Sequence, residues 1–243
     1  MGLGLEGERM LCFINKKITA KKVAQLWALK ELDVLTDSHF KKLRELSSYP
    51  NWEVKLLVAE LLAHFVNRDS QGILHILAND KENIVRAEAY DTLALFPYPE
   101  TEELLKERCV TEKDEVARGC AIPSWADVVV ARNGESSSKT AFAKQRKASE
   151  GGDLCWSYVL YRFGETAELD EMLTYLQNDY FVLRIASMNL MSAIADCDNA
   201  PRIEYAVREL LKVEDTLSVT EVAHDFLKYL SKFHDEDTDN PVK

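Results

Sequence analysis

Turn-forming residues are scarce in this 243-residue chain, which has 9 glycines and 6 prolines. That scarcity disfavours an all-β fold, whose many reversals need them. Long apolar runs are missing as well, and none approaches the ~20 residues that cross a bilayer. The opening stretch Met1-Gly-Leu-Gly-Leu-Glu-Gly-Glu-Arg9 carries acids where a secretory leader needs lysine and an apolar core. Glu6 stands where a myristoylation signal needs Ser or Thr. These absences lead us to expect a cytoplasmic protein with no membrane segment.

The five cysteines, Cys12, Cys109, Cys120, Cys155 and Cys197, are odd in number and include no Cys-x-x-Cys. A disulfide framework or a metal site is therefore poorly supported, and small buried hydrophobes are the simpler reading. No His-Glu-x-x-His, Gly-x-Ser-x-Gly or phosphate-binding glycine loop occurs. His39, His64, His75, His224 and His234 include no pair at i, i+4. No catalytic set, metal or cofactor is expected.

Positive charge is also in short supply, and the net charge is −11. Residues 1–50 hold 9 Lys/Arg against 6 Asp/Glu, residues 51–199 hold 15 against 25, and residues 200–243 hold 6 against 10. An acidic body repels a phosphate backbone, so nucleic acid is an unlikely partner.

What the sequence does have is a repeat. Val, then an apolar residue four later, then Leu eight later recur as Val54/Val58/Leu62, Val85/Ala89/Leu93, Val182/Ala186/Leu190 and Val219/Ala223/Leu227. Those spacings put three side chains on one helical face. Degenerate copies start at Val116 (with Cys120 and Ser124) and near Leu154/Tyr158, where the register is open by one residue. A shorter amphipathic helix precedes most anchors, marked by Leu43 and Leu46, Leu74 and Leu77, Leu105, and Leu211. Each unit is thus helix A, a tight polar turn such as Ser48-Tyr-Pro-Asn51, Asn79-Asp-Lys-Glu82 or Gln177-Asn-Asp179, then helix B. Asp37 and Asp69 are placed to cap the first two A helices. Neither helix of a pair can bury its apolar face alone, so the units must stack.

Asn83-Ile-Val-Arg-Ala-Glu-Ala89 and Asp114-Glu-Val-Ala-Arg118 resemble the second helix of HEAT-like repeats, with Asp near the turn, then Val-Arg, then Ala. The resemblance runs over about residues 37–233 and departs from the pattern at Val219-Thr220. It implies an all-α fold, an α-α superhelix (HEAT-like solenoid) of about six helix pairs with an irregular middle repeat. The expected organisation is an N-terminal helical cap at 1–36, repeats at 37–133 and 153–233, and an acidic disordered tail at 234–243. Residues 134–152 are either an irregular basic helix or a linker. They carry Lys139, Lys144, Arg146 and Lys147 between Ser136-Ser-Ser138 and Gly151-Gly152. Pro123 is expected to break the third B helix, with Ser124 capping a short new one that Asn133-Gly134 ends.

Positions two and six after each anchor point away from the Val/Ala/Leu face. In the HEAT-like family, B helices line the concave side, so these positions would form a ridge there. The acidic ends of the ridge are Glu60, Asp91 and Asp225. Its centre combines Ile122, Trp156, Leu160 and Met188 with Arg118 and Arg184. Aromatic, methionine and arginine side chains together match the make-up of a binding patch; the alternative is extra core around an irregular repeat. The leading reading is a non-enzymatic scaffold for a protein or peptide with basic flanks. Ser124-Trp-Ala-Asp127 with Arg184 is loosely similar to HEAT-like glycosylases for alkylated DNA bases, and the repeat pattern alone to HEAT-like bilin lyases. The acidic body argues against a DNA groove.

Overall fold

A computed structural model of the chain describes residues 19–150 and 153–233. The first half of the expected N-terminal cap and the acidic tail at 234–243 lie outside the described residues. The described residues are helical, with no strand among them. Helix α1 covers residues 19–30. Six pairs follow: α2 (Asp37–Leu46) with α3 (Trp52–Leu62), α4 (Arg68–Leu77) with α5 (Asn83–Leu93), α6 (Pro99–Thr111) with α7 (Glu115–Ala131), α8 (Ser137–Ser149) with α9 (Leu154–Arg162), α10 (Glu168–Thr174) with α11 (Phe181–Ser192), and α12 (Ala200–Leu211) with α13 (Leu217–Leu230). A 3-10 turn, Tyr175–Gln177, lies between α10 and α11. No described helix is long and apolar enough to cross a membrane.

The helices group into two compact units that divide between Gly134 and Glu135. In the first, each B helix packs on its own A helix and on the next B helix, so that α3, α5 and α7 run side by side. In the second, α9, α11 and α13 do the same. Residues 134–152 thus contain a true helix, α8, packed on α9. At the division, Asn133 turns left-handed (φ 50°) and the Gly134 N–H reaches back to the Val129 carbonyl at 2.9 Å, closing α7.

The first two anchors sit as their spacing implies. Val54, Val58, Leu62, Val85, Ala89 and Leu93 are fully buried. Two later anchors are displaced by one residue. Val116 is 66% exposed, and Ala117, Ala121 and Trp125 take the inner face of α7. Val182 is 41% exposed, while Ser187 and Met191 are buried, which makes Leu183 the start of that stripe. On α12 the buried leucine is Leu210 rather than Leu211.

The caps differ from expectation. Thr36 caps α2, with its N–H donated to His39 Nδ1 at 3.2 Å, and Asn67 caps α4 through the Ser70 N–H at 3.0 Å. Asp37 and Asp69 fall inside the first turns, where a carboxylate favours the positive helix end. Asn51 caps α3, accepting from the N–H groups of Glu53 (2.7 Å) and Val54 (3.3 Å).

Pro123 does not break its helix, because α7 continues through it to Ala131. Proline removes one backbone bond and crowds the carbonyl four residues earlier; here that residue is Gly119. Burial outweighs the loss, since Ala117, Ala121, Ile122, Trp125, Ala126, Val128 and Val129 enter the core on both sides of the proline. Ser124 is buried mid-helix and caps nothing.

Candidate functional site

A cation one residue past the anchor organises the A–B turns. On α3, Lys55 Nζ bonds Asp80 Oδ1 at 2.6 Å. On α5, Arg86 forks onto Glu112, with Nε–Oε2 and Nη2–Oε1 both 2.8 Å, and caps its own turn through the carbonyls of Asp80 (2.9 Å) and Lys81 (3.1 Å). On α11, Arg184 pairs with Glu214 through one bond (Nη2–Oε1 3.0 Å) and closes its turn on the carbonyls of Asn178 (2.6 Å) and Asp179 (3.1 Å). The Arg86 guanidinium, together with bonds from the Asp114 N–H and the Tyr90 hydroxyl, holds the Glu112 carboxyl down at about 2. These pairs stitch each turn to the next. Arg184 is therefore tied into the scaffold, and Arg118 stands at the same register, one past Ala117.

The apolar centre expected on the ridge is enclosed. Trp156 is fully buried, and Ile122, Leu160 and Met188 are each about 1% exposed. Trp156 meets the Phe142 ring edge-to-face at 5.9 Å, and its Nε1 donates to Glu150 Oε2 at 2.9 Å. Helix α9 is buried around most of its circumference, through Leu154, Trp156, Tyr158, Val159 and Leu160. Its wheel position opposite the anchor thus faces other helices and not water. Trp125, from the Ser124-Trp-Ala-Asp127 stretch, is likewise fully buried.

In the first unit, Glu60 and Asp91 belong to an acidic face shared by α3, α5 and α7, joined by Glu88 and Asp127. Partial desolvation, then the charges of Asp91 and Glu60, raise the Glu88 carboxyl above its usual range. Desolvation and then Asp127 raise Asp91. Cys120 lies in the same field, and burial with those acids pushes its thiol up to about 12. That value makes it inert as a nucleophile at neutral pH. Lys30 Nζ approaches Glu60 at 3.3 Å. Glu88 and Asp127 are not among the expected ridge residues because they fall off the two-and-six rule; the shared charge sign was the available clue.

In the second unit, Met188 and Asp225 come together. They border a groove of about 460 Å³ between α11 and α13, with Asn189, Ser192, Val222 and the Phe226 and Tyr229 rings along it. The two rings stack at 6.4 Å. Met188 forms its floor, while Asp225 is exposed and has no ion pair among the described residues. A further cleft of about 580 Å³ opens beside the α10–α11 turn and α12.

The basic stretch on α8 is largely neutralised. Lys144 pairs with Glu165 at 2.7 Å, Lys147 with Glu168, and Arg146 with Glu150. No group of three or more potential metal-binding side chains occurs among the described residues.

Residues 40–124 match the family model for HEAT repeats, which covers α2 to α6 and the first part of α7. No curated protein matches the chain. The periodic anchors, the Arg–acid turns and this match agree: the chain carries HEAT-like repeats.

Proposed function

We propose that this chain, whose residues 40–124 are HEAT repeats, is a non-enzymatic scaffold that binds a protein or peptide along the B-helix faces of its units. The observation that carries the reading is the groove between α11 and α13. It offers an apolar floor, two stacked rings and one unpaired carboxylate, Asp225. Grooves of this kind take the apolar face of a peptide and orient it by a single charge. A basic residue on the partner suits Asp225, and basic flanks suit the Glu60/Glu88/Asp91/Asp127 face. The free thiols of Cys109, Cys120, Cys155 and Cys197 suit a reducing compartment, which supports a cytoplasmic setting.

The test compares proteins retained from native lysate by the wild type, by Val222→Glu and by Asp225→Lys, with helix content checked for each. The reading requires a partner held by the wild type and lost from both variants. Identical retained sets would sink it.

A further inference from the structure

One turn recurs in both units almost bond for bond. In the first, the Glu82 N–H donates to Asp80 Oδ1 (2.9 Å), the Glu112 N–H to the Arg108 carbonyl (3.0 Å), and the Asp114 N–H to Glu112 Oε1 (3.0 Å). In the second, the Tyr180 N–H donates to Asn178 Oδ1 (2.9 Å), the Glu214 N–H to the Leu210 carbonyl (3.0 Å), and the Thr216 N–H to Glu214 Oε1 (2.9 Å). The Arg86 and Arg184 bonds match in the same way. Asp80 therefore corresponds to Asn178, Asn79 to Gln177, and Arg108 to Leu210.

The copies differ in what lies between the turn and the A helix of the following pair, α6 in the first unit and α12 in the second. In the first, Arg108 spans that space, and its Nη2 donates to Asn79 Oδ1 at 2.7 Å. In the second, Leu210 has no such reach, and a cleft of about 580 Å³ stands open between Gln177 and Leu210. The rim has also changed sign. Lys81 and Lys113 of the first copy correspond to Asp179 and Asp215 of the second, and both aspartates line the cleft. Neither carboxylate has an ion pair among the described residues. Arg184 and Glu214, at the same cleft, neutralise each other. Beside them Tyr205 and Val213 are 68% and 82% exposed.

We propose that this cleft binds an arginine side chain of a partner, presented between apolar residues. Its guanidinium takes the place that Arg108 fills within the first unit. The planar fork suits the Gln177 amide oxygen and the two aspartates, and it can stack on the Tyr205 ring. The flanking apolar groups cover Tyr205 and Val213. The cleft shares no residue with the α11–α13 groove, so the two readings stand independently.

The experiment is a titration of the ¹⁵N-labelled full chain with acetyl-Leu-Arg-Leu-amide and with its citrulline and lysine counterparts. Citrulline keeps the shape and loses the charge. The arginine peptide should give saturable shifts at the amides of Gln177, Asp179 and Val213, with the citrulline peptide at least about tenfold weaker. Leu210→Arg, which restores the internal plug, and the double variant D179K/D215K should each lose the response while keeping helix content. Asp225→Lys on α13 should leave it unchanged, so failure here is separable from failure of the groove. Absence of saturation, equal binding of the citrulline or lysine peptide, or full binding by both cleft variants overturns the proposal. If either cleft variant loses helix, the comparison of peptides on the wild type decides.

Discussion

Arg86 and Glu112 meet through two parallel bonds of 2.8 Å, although 26 residues separate them in the chain. Their side chains are 18% and 6% exposed. Arg184 and Glu214 pair in the second unit across 30 residues, through a single bond of 3.0 Å. In each case the arginine closes its own turn while holding the carboxylate of the next. Such a pair ties the turn of one repeat to the turn of the next.

Glu112→Gln should therefore destabilise the protein by about 2–3 kcal/mol at pH 7, the range for removing one member of a hydrogen-bonded, largely buried charge pair. The carboxyl lies at about 2 in the folded protein, below its usual 4.5. A depressed carboxyl contributes its stabilisation fully above the unfolded value and loses it as pH falls through the folded one. The wild-type advantage over Glu112→Gln in urea unfolding should shrink steadily from about pH 5 towards pH 2. A pH-independent gap would show that the charge is not what matters.

Trp156 belongs to the core, so truncation should lower stability and not merely partner binding. Trp156→Ala should cost about 3–5 kcal/mol, as for other buried tryptophans. Trp156→Phe should cost less, because a ring remains against Phe142 and the cavity is smaller, although the bond to Glu150 is lost. Urea midpoints of the two variants check this ordering. A near-neutral Trp156→Ala would restore the surface-anchor role expected from the wheel.

The repeats were legible where one apolar residue stood alone at the anchor, as at Val54, or where Ala89 and Leu93 fixed the face despite an apolar neighbour, as at Val85 beside the exposed Ile84. They slipped by one where two apolar residues were adjacent. Val116 precedes Ala117 and Val182 precedes Leu183, and bulk favoured the wrong member at Val116. Alanine fits the inner face of α7 because Trp125, two turns on, supplies the volume. The patch around Trp156 was misjudged because a helical wheel presumes one side in water, and α9 has almost none. The Arg–acid turns escaped notice because the arginine-to-acid separation is not constant, so no fixed spacing marks the partner. Met188, expected at the centre of the ridge, and Asp225, expected at its acidic end, border one groove, because the neighbouring α11 and α13 bring them side by side.

Pro123 sits inside a continuous α7, held there by burial on both sides. Pro123→Ala restores an N–H donor for the Gly119 carbonyl and relieves the ring's crowding of that carbonyl. The variant should be more stable by about 1–2 kcal/mol. This is less than the ~3 kcal/mol of an exposed helix interior, because α7 has already relaxed around the ring and alanine frees the unfolded chain. Thermal unfolding measures the gain. A loss of stability would mean that the packing of α7 needs the bend proline imposes.

The acidic face of the first unit should weaken the free protein. Glu88 and Asp91 both titrate above their usual range, chiefly through desolvation and then through neighbouring carboxylates. A carboxyl raised in the folded state binds its proton more tightly there. It therefore destabilises the fold at pH 7, and the penalty fades as pH falls through the folded value and vanishes below the unfolded one, about 4. Glu88→Gln and Asp91→Asn should each stabilise the protein at pH 7 by a few tenths to ~1 kcal/mol. The gain at Asp91 should be the smaller, since water screens its exposed edge. Well below the ordinary values of both carboxyls, at about pH 2.5, where they are protonated in folded and unfolded chains alike, the gain should disappear. Paired urea titrations at the two pH values read this directly. A gain that persists at low pH would assign the effect to packing, and a loss at pH 7 would mean that a cation already compensates these carboxylates in the free protein.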